Sequence, residues 1–345
     1  MSLPASRAKQ SPLIKQMENK NYTFSIQSIF RDLPTFNQKG ITELTVNDAS
    51  FSSDKNGILR LVDEIKKHCP DLFLSILVDP KILDKNTVEA LSGIFCSLEI
   101  PLVGTVKNGN LLFDKKFYSG KAALLNDMGL VFGFDMQWGM QEGDTFKFFR
   151  DRLDFAVSLY PNHIDFEQLE RIPYEDPKPT GIYSSKDMDF SRGMAFACKI
   201  FYSQGRAVPW FNSVLHALKI NASTFFADFE EFQQCNNCSF EVEFDGDDAG
   251  HKAVEKLQLL FLGQKFEEKN KSHLFAAAGD IVRINGAFSR CSSDGTEERV
   301  ELSYNPEDLL SPYSLNISDF VENVAMESTE IEVFNTDEGP DFKIV

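Results

Sequence analysis

The sequence predicts an α/β fold, with about five parallel strands in an open or partial (β/α) barrel followed by a smaller α+β region. Two observations support this prediction. Strand-like and helical patterns alternate over residues 22–172 with a period of about thirty residues, the length of one βα unit. Beyond residue 189 the alternation ends and helical patterns dominate. Strands separated by helices pair in parallel through right-handed crossovers, and five are too few for a closed eight-stranded barrel.

Five segments have the apolar composition of strands. The run Leu72–Val78 is nearly continuous in apolar residues and ends at Asp79-Pro80, which predicts a strand buried on both faces. The other predicted strands are Ile41–Val46, Leu98–Val103, Gly129–Met136 and His163–Leu169.

Helical spacing of apolar residues separates these strands. The first predicted helix contains Ile26, Ile29 and Leu33 and stops at Gly40, and Asp54 is placed to cap the second. The second helix has a predicted buried stripe of Ile58, Leu61, Val62 and Ile65. Three more helices are predicted at Asp84–Phe95, Lys115–Met128 and Asp144–Leu159. The residues expected to be buried in the last helix are Phe148, Leu153, Phe155, Ala156 and Leu159.

The predicted organisation has four parts. We expect residues 1–21 to be disordered or poorly packed and residues 22–172 to form the partial barrel. The proline-containing residues 173–189 are predicted to be a linker, and residues 190–345 a separate α+β region. In that region the predicted elements are strands at Ser239–Phe244, Asp280–Phe288 and Arg299–Tyr304, a helix at Ala253–Phe266, and an edge strand containing Ile331, Val333 and Phe334.

The charge balance excludes some partners. The chain carries a net charge of −17 and has a pI near 4.8, whereas nucleic acids and anionic membranes are bound through a positive field. No apolar run reaches the length of a transmembrane helix, and no signal peptide is evident. The six scattered cysteines do not form a disulfide framework. We therefore expect a cytoplasmic protein with reduced thiols, no nucleic-acid partner and no membrane span; a protein partner is unknown.

Four stretches resemble strands of the radical SAM enzymes, in particular of the cobalamin-binding branch. Glu43-Leu-Thr-Val-Asn-Asp-Ala-Ser-Phe51 resembles the second strand of that family, and Ser97-Leu-Glu-Ile-Pro-Leu-Val-Gly104 resembles the fourth. Gly129-Leu-Val-Phe-Gly-Phe-Asp-Met-Gln-Trp-Gly139, with Glu142-Gly-Asp-Thr145 after it, resembles the fifth strand and its glycine-rich turn. Pro161-Asn-His-Ile-Asp165 resembles the sixth. The resemblance covers roughly residues 25–175 and rests on the order and spacing of these pieces.

The resemblance also implies a cofactor set that this chain does not match. In the family, Cys-x-x-x-Cys-x-x-Cys after the first strand holds a 4Fe-4S cluster that cleaves S-adenosylmethionine. Residues 1–24 contain no cysteine, and the family's first strand has no counterpart. The chain is thus expected to be either a fragment or a degenerate member of the family. We expect no cofactor in it, with S-adenosylmethionine as a possible ligand, and the cluster and cobalamin only in an intact member.

Polar side chains at the ends of the predicted strands are the candidate site residues, because ligands bind at the carboxyl ends of parallel strands. The family resemblance implies that Asn47 and Asp48 lie near the methionine end of S-adenosylmethionine, and that Asp135 to Gly139 lie near its adenosine or the substrate. The candidate ligand-binding residues are Asn47, Asp48, Asp79, Asp135, Gln137, Trp138 and Gly139, and Thr105, Glu167 and Gln168 are further polar residues at strand ends.

Each of these residues also has a structural interpretation. Asp48 and Asp79 are suited to capping turns and helices, and Trp138 to covering the end of the barrel. Cys235-Asn-Asn-Cys238 is a single Cys-x-x-Cys, whereas a zinc site needs four ligands, so we expect two ordinary thiols and no metal. His163 is expected to be a packing residue. No hydrolase, kinase or metalloprotease motif occurs.

Two functional hypotheses remain open. The chain is either a radical SAM-like protein without the cluster motif, related to cobalamin-dependent radical SAM methyltransferases or oxidoreductases, or a non-catalytic module that binds a small molecule or a protein at the barrel mouth. An unrelated βα enzyme that uses the strand-end acids is a third interpretation, without a supporting motif.

Overall fold

The computed structural model describes residues 26–107, 110–169 and 178–345. The chain divides into two compact units. The first contains the described residues up to 137 together with 141–143, and the second contains 138–140 and 144–345. The predicted disordered segment 1–21 lies outside the described residues, as do residues 173–177 of the predicted linker 173–189. Helix formation resumes within that predicted linker, at Ser185.

The first unit contains four parallel strands of a sheet and a small hairpin. The parallel strands pair in the order β1-β2-β3-β6, and β4 pairs with β5 in antiparallel fashion. The strands are β1 (Glu43–Val46), β2 (Phe73–Leu77), β3 (Cys96–Pro101), β4 (Thr105–Lys107), β5 (Asn110–Leu112) and β6 (Val131–Met136). Parallel pairing of an α/β fold is thus confirmed, closure into a barrel is not shown, and the hairpin was not anticipated.

Three helices of this unit are capped by aspartates at their N-termini. The side chains of Asp54, Asp84 and Asp114 each accept a hydrogen bond from the backbone N–H three residues later, which satisfies one of the free donors of a helix N-terminus. The helices are α1 (Ile26–Asp32), α2 (Lys55–His68), α3 (Lys85–Leu91) and α4 (Lys115–Asp127). Gly40 has a φ of +64° where the entry to β1 needs a left-handed residue.

Helix α2 packs as its sequence predicts. The stripe Ile58, Leu61, Val62 and Ile65 is completely buried. Four apolar residues at helical spacing can be buried only on one face, so the periodicity was sufficient to identify them.

The second unit is mostly helical. Its helices are α5 (Phe146–Ser158), α6 (Ser185–Cys198), α7 (Phe211–Leu218), α8 (Ala222–Cys235), α9 (Gly246–Ala249), α10 (His251–Glu268), α11 (Phe275–Asp294), α12 (Pro306–Leu310) and α13 (Ile317–Asn323). Its strands are β7 (His163–Phe166), β8 (Glu298–Leu302), β9 (Thr329–Thr336) and β10 (Gly339–Ile344). Among the described residues, no helix is both long and apolar enough to cross a membrane.

Two strand predictions in this unit were wrong. Asp280–Phe288 lies inside the 20-residue helix α11, and Ser239–Phe244 contains a single 3-10 turn, Phe240–Val242. The β-branched residues Ile281, Val282 and Ile284 suggested a strand, but they are buried on the helix. The prediction at Arg299–Tyr304 was correct and corresponds to β8.

The C-terminal strands form an antiparallel sheet in the order β10-β9-β8. The strand predicted from Ile331 and Val333 is therefore present, as β9, but it lies between two neighbours and is not an edge strand. Both residues are completely buried.

Helix α5 buries a different set of residues from the predicted one. Leu153 and Ala156 are buried as expected, whereas Phe148, Phe155 and Leu159 are only partly buried. The buried residues not anticipated are Phe149, Arg152 and Val157. The real stripe is turned by about one residue, since it includes an arginine that apolar periodicity could not select.

The core of the second unit surrounds Phe201 in a π-helical turn, Lys199–Gln204, that follows α6. The Phe201 ring packs edge-on against Phe225 and Phe229, with ring centroids 4.7 and 4.9 Å away. A π-turn displaces backbone carbonyls from regular helical bonding. Gln258 Nε2 donates to the carbonyls of Phe201 and Gly205 at 2.8 and 2.9 Å, so α10 compensates for this irregularity.

Candidate functional site

The four parallel strands of the first unit have one polar face. In their register, odd-numbered residues always lie opposite odd-numbered residues. Thr45, for example, lies opposite Ser75, and Glu99 lies opposite Gly133. Side chains alternate between the two faces of a strand, so all these residues share one face. We call this surface the polar sheet face. Its residues are Glu43, Thr45, Phe73, Ser75, Leu77, Ser97, Glu99, Pro101, Val131, Gly133 and Asp135.

The opposite face of the same strands is apolar. Its even-numbered residues are Leu44, Val46, Leu74, Ile76, Cys96, Leu98, Ile100, Phe132, Phe134 and Met136. All but Leu44 are buried. In an α/β fold this is the composition of the face that helices cover. The contrast between the faces shows that the polar residues are confined to one side by the strand register.

Glu99 is the central acid of the polar sheet face. The hydroxyls of Ser75 and Ser97 each donate a hydrogen bond to Glu99 Oε1 at 3.4 Å. Both serines are almost completely buried, at 2% and 3% exposure, while Glu99 is partly buried. Gly133, opposite Glu99 in β6, contributes no side chain at that level. The register therefore places a carboxylate, two hydroxyls and a glycine at one level of the polar sheet face.

Asn47 and Asp48 follow β1, as predicted. Asn47 is exposed. Asp48 Oδ1 accepts hydrogen bonds from Ser50 Oγ (2.6 Å), Ser50 N (2.8 Å) and Phe51 N (3.2 Å). These bonds, with the Ser50 hydroxyl contributing most, hold the pKa of Asp48 below its usual value. The contacts account for Asp48 as a turn residue, and its role toward a ligand stays a prediction.

Asp79 follows β2 and is likewise engaged by the backbone. Its side chain accepts a hydrogen bond from Lys81 N at 2.9 Å and caps the 3-10 turn Pro80–Ile82. Its own N–H donates to the carbonyl of Ser52 at 3.0 Å. This last bond joins the loops that follow β1 and β2. The carboxyl ends of these two strands therefore lie side by side, as expected for a parallel pair.

The ends of β3 and β6 are also joined. Leu102 N donates to the carbonyl of Asp135 at 2.9 Å, which extends the ladder past Pro101, the residue opposite Asp135. Gln141 closes the adjacent loop, since its amide accepts from Gly104 N at 3.0 Å and donates to Gly104 O at 3.2 Å. Asp135 and Gln137 are both partly buried here. Thr105, by contrast, is exposed at the start of β4.

Trp138 belongs to the second unit and is a packing residue there. It is 1% exposed, and its ring lies 6.1 Å from that of Phe149 and 6.3 Å from that of Phe166. Gln168 fixes its backbone, accepting from Trp138 N and donating to Trp138 O, each at 2.8 Å. These contacts bury the indole ring, and the predicted role of Trp138 toward a ligand stays a prediction.

Gly139 starts a turn that is built on a buried ion pair. Its φ is +66°, and its N–H donates to Asp144 Oδ2 at 2.8 Å. Asp144 Oδ2 also lies 3.5 Å from Arg152 Nη2, and both side chains are 2% exposed. Burial of a charged pair costs solvation, so further hydrogen bonds such as the one from Gly139 are needed to stabilise it. This arrangement positions the turn, and a role of Gly139 toward a ligand stays a prediction.

Burial also alternates from residue to residue along strand β7. Ile164 and Phe166 are buried, whereas His163 and Asp165 are partly buried on the other face. His163 Nε2 lies 3.6 Å from Asp165 Oδ2. His163 was expected to be a packing residue, and the structure adds an acid on the same strand.

The six cysteines of the sequence do not have the spacing of the family's cluster motif. Cysteine ligands bind iron as thiolates. Burial raises the pKa of Cys96 to about 12 and that of Cys238 to about 11, and it also raises the pKa of Cys69, Cys198 and Cys291. Cys235 is exposed at the end of α8. The only Cys-x-x-Cys spacing in the sequence pairs this residue with Cys238, which supplies two of the three thiolates that the family motif needs.

Sequence reasoning missed the centre of the polar sheet face. Ser75 interrupts the apolar run Leu72–Val78, and Ser97 and Glu99 alternate with apolar residues in the next strand. This period of two was the available signal. The run had been predicted to be buried on both faces, whereas Phe73 is 37% exposed.

Comparisons with known proteins add little. No protein-family model and no curated protein matches the chain. Two solved structures of the radical S-adenosylmethionine methyltransferase TsrM from Kitasatospora setae are similar to it. The structure with cobalamin and a 4Fe-4S cluster bound is 16% identical, and the structure with tryptophan substrate and an aza-SAM analogue bound is 17% identical. For each, the TM-score is 0.34, and the match covers 41% of this chain and 30% of TsrM. At this TM-score the likeness carries no argument about function.

Proposed function

We propose that this chain is a radical SAM-like protein in which the polar sheet face binds a small molecule, S-adenosylmethionine being the first ligand to test. The observation that carries the proposal is the position of Glu99. This carboxylate accepts from Ser75 and Ser97 on a face whose neighbouring strand has Gly133 at the same level. Serine, glycine and acidic residues in strand interiors cost sheet stability and core packing, and a ligand site is a reason to retain them.

The charge of this face favours a cationic ligand. S-adenosylmethionine carries a sulfonium and an ammonium group beside one carboxylate, so it is a net cation. Glu99 and Asp135 are on the polar sheet face, and Asp79 follows the end of β2. Partly buried carboxylates attract a cation more strongly than exposed ones, because the surrounding protein screens charge less than water does. The net charge of −17 adds to this attraction.

The proposal does not include radical chemistry. Reductive cleavage of S-adenosylmethionine needs an electron from the iron–sulfur cluster, and the cysteines of this chain do not suit that cluster. The parent activity of the family, methyl transfer or oxidoreduction at the expense of S-adenosylmethionine, is therefore not proposed for this chain. We propose a truncated or degenerate relative of the cobalamin-dependent enzymes that keeps the scaffold for binding.

Calorimetric titration with S-adenosylmethionine tests the ligand. We expect saturable binding to the wild-type chain, and at least tenfold weaker binding, or about 1.4 kcal/mol, for Glu99→Gln, which removes the charge and keeps the shape. The control is Glu89→Gln, an exposed acid on α3 that pairs with Lys85. No heat with the wild-type chain at millimolar ligand, or equal affinities for Glu99→Gln and wild type, would refute the proposal.

A second experiment tests the statement about the cluster. Anaerobic reconstitution with iron and sulfide, followed by visible absorption and an iron count, is expected to leave the chain without a 4Fe-4S cluster. A stoichiometric cluster that survives desalting, and that Cys235→Ser or Cys238→Ser abolishes, would show that these thiols are iron ligands after all.

A further inference from the structure

A surface cavity of about 590 Å³ lies beside strand β8 and helix α11 of the second unit. This volume is within the range of small-molecule sites in proteins. Its lining includes three basic and three acidic residues, drawn from α10, α11, β8 and β9. They are Lys252, Arg283, Arg299, Asp280, Glu301 and Glu330. The balance of charge differs from that of the whole chain, which has 35 basic and 52 acidic residues.

The buried carboxylate of Asp280 holds the Arg283 guanidinium in place. Arg283 Nη1 donates to Asp280 Oδ1 at 2.9 Å, and the other carboxylate oxygen of Asp280 accepts from Ser303 N at 2.5 Å. Asp280 is 1% exposed, whereas Arg283 is 37% exposed. The guanidinium also lies over Gly279, where an added Cβ would come within 3.3 Å of Nη1. A planar guanidinium that is fixed by a buried carboxylate and still reaches solvent is suited to binding a ligand carboxylate.

Glu301 and Glu330 provide the opposite charge. They are direct partners in the antiparallel register of β8 and β9, so their side chains project from the same face at neighbouring positions. Two like charges in this relation destabilise a sheet. Arg299 offsets the repulsion weakly, since its Nη1 lies 3.9 Å from Glu330 Oε1 and both side chains are substantially exposed. A bound ammonium group would remove this repulsion.

Lys252 completes the wall but is already engaged. Its Nζ lies 2.8 Å from Glu298 Oε2 and 3.1 Å from Glu255 Oε1. The cations with most capacity for a ligand are therefore Arg283 and Arg299.

We propose that this cavity binds a small dipolar molecule that carries both a free carboxylate and a free ammonium group, such as an amino acid or a dipeptide. The carboxylate lies toward Arg283 and Arg299, and the ammonium lies toward Glu301 and Glu330. A simple anion would meet the two glutamates, and a simple cation would meet the arginines. Only a ligand with both charges is complementary to the whole wall.

The experiment uses the full chain and a panel of free L-amino acids and glycylglycine. Thermal shift at about 10 mM probe identifies binders, because a ligand specific for the folded state raises Tm by mass action. Calorimetry then measures Kd for the best probe, for its N-acetylated form and for its C-amidated form. We expect the two blocked forms to bind at least tenfold more weakly than the free probe.

Three variants locate the site. Arg299→Gln and Glu301→Gln change exposed side chains, and each is expected to weaken binding of the best probe at least fivefold. Gly279→Ala shifts the Arg283 guanidinium by a few tenths of an ångström and is expected to weaken binding by less than the other two variants. The matched controls are Lys186→Gln and Glu322→Gln, exposed residues of the same unit that do not line the cavity. Absence of binding across the panel, or equal Kd values in Arg299→Gln, Glu301→Gln and wild type, would overturn the proposal.

Discussion

The side-chain amide of Gln168 forms two hydrogen bonds of 2.8 Å with the backbone of Trp138, one to the N–H and one to the carbonyl. The two residues are thirty positions apart in the sequence, and Trp138 is 1% exposed. An amide is a side chain that can satisfy a backbone donor and a backbone acceptor at once. This pair fixes the turn that follows β6 without help from regular secondary structure.

Gln168→Ala should therefore destabilise the protein. It leaves the N–H and C=O of Trp138 buried without these partners, and we expect the free energy of unfolding to fall by about 2–3 kcal/mol. Urea denaturation followed by tryptophan fluorescence measures this change. Gln264→Ala is the control, because Gln264 is exposed and pairs only with Glu268 on the same helix. A loss in Gln168→Ala no larger than in Gln264→Ala would contradict the role assigned to Gln168.

The stability of the chain should depend on the protonation of His251. Burial, with further contributions from Arg206 and Arg290, lowers the pKa of His251 from 6.5 to about 4. Its Nε2 lies 3.3 Å from Gly205 O, its Nδ1 lies 2.9 Å from Arg290 Nη1, and Glu255 also faces it. Below pH 6.5 the unfolded chain takes up a proton at this residue that the folded chain takes up only near pH 4.

The contribution of neutral His251 to the free energy of unfolding is thus complete above pH 6.5, and it is lost as the pH falls toward 4. Between pH 7.5 and pH 5 the loss is about 2 kcal/mol. The measurement is the free energy of unfolding at both pH values for wild type and for His251→Gln. The acids titrate alike in both proteins, so the difference between their pH dependences isolates the histidine. Identical pH dependences would contradict the lowered pKa.

Two glycine substitutions on neighbouring helices should have opposite effects. A Cβ at Gly286 in α11 would lie 2.1 Å from Glu255 Oε2 and 3.1 Å from Arg290 Nη1. Glu255 and Arg290 form a buried ion pair at 2.7 Å, with side chains 3% and 5% exposed. Gly286→Ala should break this pair and lower the free energy of unfolding by about 3–5 kcal/mol.

Gly263→Ala in α10 is the matched control for that substitution. The atoms nearest to its Cβ would be those of the Phe275 ring, at 3.4 Å or more, an ordinary van der Waals contact. Alanine is a better helix former than glycine, so this variant should be as stable as wild type or more stable, by up to about 1 kcal/mol. Thermal unfolding of both variants gives the comparison. If Gly286→Ala and Gly263→Ala lost equal amounts of stability, helix propensity and the space around each glycine would not explain the effect of either substitution.

Local patterns in the sequence were enough for much of the first unit. The spacing of Ile58, Leu61, Val62 and Ile65 identified the buried face of α2, and Asp54 identified its start. These features depend on residues within one or two helical turns of each other. The alternation of strands and helices likewise predicted parallel pairing, because a crossover helix leaves little choice of strand direction.

The same reasoning failed where distant residues decide the outcome. Asp280–Phe288 has a strand-like pattern, but packing against the neighbouring helix α10 keeps it helical. Position alone also did not show the burial of Trp138, which depends on Phe149 and Phe166, 11 and 28 positions away; its ligand-binding role stays a prediction. Neither contact can be read from residues next to each other in the chain.

By itself the sequence determined the βα order of the first unit, the Asp54 cap of α2 and the absence of the cysteine motif from this chain. Only the tertiary structure decided which polar residues share a surface. Glu99, Ser75 and Gly133 come from three strands, and they meet because the parallel register aligns residues of the same parity. A shift of one residue in any strand would turn its polar side chains to the apolar face. The register, which depends on all the strands together, therefore creates the candidate site.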